Sequence, residues 1–107
     1  GHARGMKPST TIKLKVAGVI YEEHAQGDGQ FDAFMNALKK LYKTHSKTVL
    51  PKLIDYAVRI PPGSHSDALC ETIITWKRGE KEFLTRGLDS DQTVSAIKAT
   101  EKMLNII

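Results

Sequence analysis

Few side chains in this 107-residue sequence have the type and spacing to carry out a reaction. His24, His45 and His65 are dispersed, none four residues from another on a helical pattern or beside a cysteine, so zinc-type spacing is absent. The single cysteine, Cys70, lies in the apolar stretch ALCETIITW. One thiol can form neither an intrachain disulfide nor a multi-cysteine metal site, and this one is expected to be buried and unreactive. Asp28 and Asp32 stand close together, but at the start of a helix carboxylates more commonly cap its positive end than act as an acid–base pair. Gly27-Asp28-Gly29 is too short for a dinucleotide fingerprint, and no Gly-Lys-Ser/Thr follows it to make a phosphate loop. Catalysis by this chain alone is not expected.

Binding suits the same residues better. The main-chain N–H groups of a helix's first turn have no partner within the helix, and a glycine-rich corner lets a carboxylate or phosphate approach them closely. Asp28 would repel an anion and attract an ammonium group. A zwitterionic amino acid satisfies both conditions, and an apolar pocket from Phe31, Leu53, Tyr56 and Ile60 would enclose its side chain. Burying a Leu- or Ile-sized group stabilises by about 1.5–3 kcal/mol, enough for selectivity toward apolar amino acids.

The elements that must position these residues follow from periodicity. TIKLKV alternates, with Ile12, Leu14 and Val16 on one side. Ala17-Gly18 makes a tight turn and VIYEEHA returns, so residues 11–26 read as a β-hairpin. Phe31, Phe34, Met35, Leu38, Leu41 and Tyr42 then mark one face of a helix running to about Lys43. KLIDYAVRI reads as a third strand, with Ile54, Tyr56, Val58 and Ile60 on one side and Asp55 and Arg59 on the other. PPGSHSD ends it. ALCETIITWKRGEKEFLTRG reads as a second hairpin turning at Arg78-Gly79, in which Trp76 and Phe83 pack. Asp89 or Ser90 is the expected N-cap of a last helix from about Asp91 to Asn105, whose apolar side holds Val94, Ala96, Ile97, Met103, Leu104 and Ile107.

The order ββα then βββα is an internal duplication in outline, with Gly18 and Gly79 at the hairpin turns and Gly27 and Gly87 just before the helices. One such unit buries too little apolar surface alone, so the expected fold is α+β: two pseudo-repeated strand-and-helix units forming one domain, helices packed on one side of the strands. Residues 1–9 read as a tag remnant (GHARG) and lead-in, and residues 10–107 as a single domain with units at about 10–45 and 50–107. The net charge of +4 and pI near 9.3 raise the question of nucleic acid, but the basic residues are spread out and interleaved with acids, so no nucleic-acid partner is expected. No apolar run approaches the roughly 20 residues that span a bilayer, and no secretion signal is evident, so no membrane association and a cytoplasmic location are expected.

The segments HAQGDGQFDAFMNAL, LPKLIDYAVRI and SDALCETIITWKRGEKEFLTRGLDSDQTVSAIKATEKMLNII carry a G-[DN]-G turn opening a helix, an L-x-x-Y strand, a D-A-x-x-E/Q strand and a G-x-x-x-D turn opening the last helix. In that order they resemble the C-terminal regulatory (allosteric, dimerisation) domain of the 2-isopropylmalate synthase and citramalate synthase family, over about residues 10–107. The resemblance implies a homodimer that binds leucine or isoleucine near the dimer interface as a feedback inhibitor. The matching effector-binding positions are Asp28, Gly29, Phe31, Asp32, Leu53, Tyr56, Ile60 and Ala68. It implies no cofactor in this domain. The divalent metal and acetyl-CoA would belong to a catalytic TIM barrel of the parent acyltransferase, for which about 250 residues are needed. Two positions depart from the family pattern: Gln30 stands where proline usually follows the turn, and Ile60 where leucine-responsive members often have alanine. The bulkier Ile60 narrows the pocket in a way that favours isoleucine. A purely structural dimerisation module is the alternative. An ACT-like sensor fits less well, because its β-α-β-β-α-β order differs from the one read here.

Overall fold

A computed structural model describes residues 5–63 and 69–107. The element order is β1 (Ser9–Val16), β2 (Val19–Gln26), α1 (Gln30–His45), β3 (Lys52–Arg59), β4 (Cys70–Arg78), β5 (Lys81–Asp89) and α2 (Gln92–Ile106). This is the expected α+β order, ββα followed by βββα. The chain divides into two compact units, residues 1–49 and 50–107, each with its own antiparallel sheet and its own helix.

In the first unit β1 and β2 pair from Ser9 opposite Gln26 to Val16 opposite Val19. Ala17 and Gly18 form the two-residue loop with φ of 51° and 83°, the left-handed pair whose twist matches that of the strands. Ile12, Leu14 and Val16 alternate with exposed neighbours, as expected, and α1 packs on both strands. The helix buries Ala33, Met35, Ala37, Leu38 and Leu41. Phe31, Phe34 and Tyr42, expected on the buried face, are only half-buried, because the residues nearest the sheet are alanines that let the helix come close. At its far end the His45 ring stacks on Tyr21 with centroids 3.8 Å apart.

In the second unit the strand order is β3-β4-β5, and α2 packs on β4 and β5. Trp76, Ile74 and Thr72 of β4 and Thr85 of β5 are buried, with Ala96, Ala99 and Met103 of α2. The Trp76 indole N–H donates to Thr85 Oγ1 at 2.8 Å, and the hydroxyls of Thr72 and Ser95 lie 2.5 Å apart. Asp91 is the N-cap of α2: its carboxylate accepts from the Val94 N–H at 3.0 Å. Asp89 and Ser90 were the expected caps. Asp89 instead accepts from the Asp91 N–H at 2.9 Å, shaping the turn that leads into the cap. Val94 is 37% exposed rather than on the buried side. Cys70 is half-buried at the start of β4 rather than fully enclosed. Ala68 and His65 lie outside the described residues.

Candidate functional site

The glycine-bracketed corner of the first unit is organised by Asp32. Gly29 is the N-cap of α1 and, lacking a side chain, makes no side-chain cap bond; its carbonyl accepts from the Ala33 N–H at 2.9 Å. The carboxylate of Asp32, in the first turn, reaches back to accept from the Asp28 N–H at 2.8 Å. A negative charge therefore already stands at the positive end of the helix, where it is favourable. The Asp28 carboxylate is exposed and lies 3.4 Å from the Lys7 ammonium. Phe31 is half-buried, its ring 6.0 Å from that of Phe34. Asp28, Gly29, Phe31 and Asp32 are thus brought together by local chain geometry, with two carboxylates and one lysine. Such a corner attracts an ammonium group.

A second feature of this unit was not read from the sequence. A groove of about 800 Å³ opens among Ser9, His24, Gln26, Asn36, Lys39 and Lys40. The Asn36 side-chain amide donates to the Gln26 carbonyl and Lys40 Nζ to the His24 carbonyl, each at 2.9 Å. Glu23, whose carboxylate accepts from the His24 N–H and lies 3.4 Å from Lys40, is held below its ordinary pKa, first by that backbone bond. The positions Asn36, Lys39 and Lys40 share a helix face at i, i+3 and i+4, which is the signal that could have found it.

In the second unit, Leu53 stands opposite Trp76, Tyr56 opposite Ile74 and Val58 opposite Thr72. Opposed residues share a side of the sheet, so these three lie on the side that α2 covers over β4 and β5. The helix stops short of β3. Leu53 and Val58 are each 38% exposed, and Tyr56 is half-buried. The register shifts between Leu53 and Asp55, which makes Ile54 an extra residue and places Leu53 on the side expected for Ile54. Ile60, just past the end of β3, is exposed. Leu53 and Tyr56 therefore form part of an open apolar strip, whereas Ala68 lies outside the described residues.

Among the described residues no group of three or more His, Cys, Asp or Glu side chains is arranged to hold a metal ion. No described helix is long and apolar enough to cross a membrane.

Comparison with known proteins places this arrangement. The chain is 32% identical over 95 residues to the 2-isopropylmalate synthase of Methylobacterium nodulans, an overlap of 89% of this chain and 17% of that protein. It is 37% identical over 73 residues to the (R)-citramalate synthase of Geobacter sulfurreducens, covering 67% of this chain and 14% of that protein. With the 2-isopropylmalate synthase of Methylorubrum populi the identity is 29% over 104 residues, covering 89% and 17%. The chain thus spans less than a fifth of the length of these relatives. Residues 2–107 match the family described as the LeuA allosteric (dimerisation) domain, and the chain belongs to that family, the allosteric domain of 2-isopropylmalate and citramalate synthases.

Proposed function

We propose that this chain is the feedback-regulatory domain of a 2-isopropylmalate synthase of leucine biosynthesis, pairing as a homodimer and binding a branched-chain amino acid near the dimer interface. The match of residues 2–107 to an allosteric domain family carries this reading. The effector-binding residues divide by chemistry. Within the first unit, Asp28 and Asp32 carry carboxylates suited to an ammonium group, and within the second, Leu53, Tyr56 and Ile60 offer apolar surface suited to a branched side chain. The effector acts by binding one state of the dimer more tightly than another, with a coupling typically of about 1–3 kcal/mol. The condensation of acetyl-CoA with a 2-keto acid, and the divalent metal, belong to the catalytic part of the parent protein.

A second reading, the regulatory domain of a citramalate synthase responding to isoleucine, is favoured by the 37% identity to the Geobacter enzyme and by the bulk of Ile60. Thermal unfolding of the 107-residue chain with leucine or isoleucine tests both. A ligand at a hundred times its Kd stabilises by about 2.7 kcal/mol, a shift of several degrees for a domain of this size. A larger shift with leucine supports the first reading and a larger shift with isoleucine the second. No shift with either at millimolar concentration overturns both and leaves a purely structural dimerisation module.

A further inference from the structure

We propose that β3 is the edge through which two copies of this chain pair, antiparallel and centred on Ala57, so that Asp55 of each copy faces Arg59 of the other. This rests on the dimeric reading above and names its surface.

β3 is an edge strand, hydrogen-bonded only to β4 within its sheet. Of its eight residues all but Tyr56 are exposed, including Leu53, Ile54 and Val58. A long apolar edge of this kind is a template for another strand. β5, the opposite edge, is less available: α2 covers one side of it, and its Arg86 and Asp89 already pair with Glu71 and Lys98.

Symmetry restricts the register. Two antiparallel copies of one strand are related by a dyad perpendicular to the sheet, which sets one residue opposite its own copy. Centred on Asp55, the pairing puts carboxylate against carboxylate, which is unfavourable. Centred on Ile54, it sets Asp55 against Leu53; on Tyr56, Arg59 against Leu53; on Val58, Asp55 against Pro61. Centred on Ala57, it sets Asp55 against Arg59 twice and Tyr56 against Val58 twice. Of these registers only the last pairs opposite charges across the edge.

The electrostatics of the sheet's uncovered side point the same way. Glu71 takes two guanidinium groups, Arg59 at 2.5 Å and Arg86 at 3.8 Å, while Asp55 has no ion-pair partner among the described residues. Asp55 of a second copy brings a second carboxylate to the two arginines. On the other side the pairing joins Leu53, Tyr56 and Val58 of both copies into one apolar floor of a six-stranded sheet, with both α2 helices on that side. A branched aliphatic side chain fits such a floor, which one copy alone supplies only in part.

Reciprocal charge reversal tests this. Asp55→Arg leaves only arginines at the facing positions and Arg59→Asp only aspartates, so each variant alone should dissociate, its dimer constant weakened by about tenfold or more. Mixed in equal amounts, the two should form a heterodimer in sedimentation velocity, each with the circular dichroism of the parent chain. Independently, Ala57→Cys in a Cys70→Ser background should form a disulfide-linked dimer under mild oxidation, while Leu84→Cys on β5 in the same background should not. Dimers of parental strength in both single variants, or no heterodimer from folded variants, or equal cross-linking at positions 57 and 84, overturns the interface. The thermal shift with leucine or isoleucine is read separately, so the interface and the feedback reading fail by different observations.

Discussion

Gly87 of β5 lies with its backbone directly against that of Ser95 on α2: a Cβ added at Gly87 would collide with the Ser95 carbonyl oxygen and come within 2.6 Å of the Ala99 nitrogen. The constraint is space. Gly27 has the same relation to α1, where a Cβ would stand 2.7 Å from the Asp32 carbonyl carbon. In both units a glycine stands near the end of the hairpin's second strand because the following helix closes down on it.

Gly87→Ala must therefore push α2 off the sheet and open the contacts among Trp76, Ala96 and Ala99. Overpacking of a rigid backbone contact destabilises by about 3 kcal/mol or more. Trp76 is fully buried and the only tryptophan, so its fluorescence in urea reports the loss directly as a lower midpoint.

The buried hydroxyl pair gives a directional prediction. Ser95 Oγ donates to the Gln92 carbonyl at 2.7 Å, so the Thr72 hydroxyl is the donor between the two. Ser95→Ala leaves that buried hydroxyl without its acceptor and should cost about 1–3 kcal/mol, whereas Thr72→Val, which keeps the shape, should cost about 1 kcal/mol. Equal effects in denaturant titration would contradict the assignment.

At the first hairpin turn, Ala17 holds a left-handed φ of 51° that disfavours alanine by about 1 kcal/mol. Asn-Gly is the preferred sequence for this loop. Ala17→Asn should raise stability by about 0.5–1 kcal/mol, measured as a higher denaturation midpoint with an unchanged slope.

Asp89 is held below the ordinary aspartate value of 3.8, first by its bond from Lys98 at 2.9 Å and then by the Asp91 N–H. A depressed folded pKa contributes stability that is present above 3.8 and lost as pH falls through the folded value. Lys98→Met should raise the Asp89 pKa, followed by NMR of its side-chain carboxyl carbon, and should reduce the acid dependence of unfolding. An unchanged titration would contradict the pairing.

Much of the fold was legible because its signals are local. Ile12, Leu14 and Val16 alternate around a two-residue turn, and the apolar spacing from Met35 to Leu41 sets α1. Other features depend on tertiary contact. Ala33 and Ala37 are fully buried while Phe31 and Phe34 are not, since close approach of helix to sheet selects small residues over large ones. Three cap-capable residues in a row, Asp89, Ser90 and Asp91, make the helix start ambiguous until the hydrogen bonds are seen. The irregularity at Ile54 carries no glycine or proline to announce it, so strict alternation put Ile54 where Leu53 belongs. The candidate site was legible where it is contiguous, at Asp28, Gly29, Phe31 and Asp32. The groove beside His24 and Lys39 joins residues from three elements, so the shared helix face of Asn36, Lys39 and Lys40 marks only one wall of it.

A regulatory role for this chain requires that it bind a branched-chain amino acid. Calorimetric titration of the 107-residue chain with leucine, isoleucine, valine and alanine tests it most directly. Leucine or isoleucine should bind saturably, valine more weakly by the loss of a buried methylene, about 0.8 kcal/mol or roughly fourfold, and alanine more weakly still. Absence of heat from leucine and isoleucine alike at millimolar concentration, with the chain folded by circular dichroism, would contradict it.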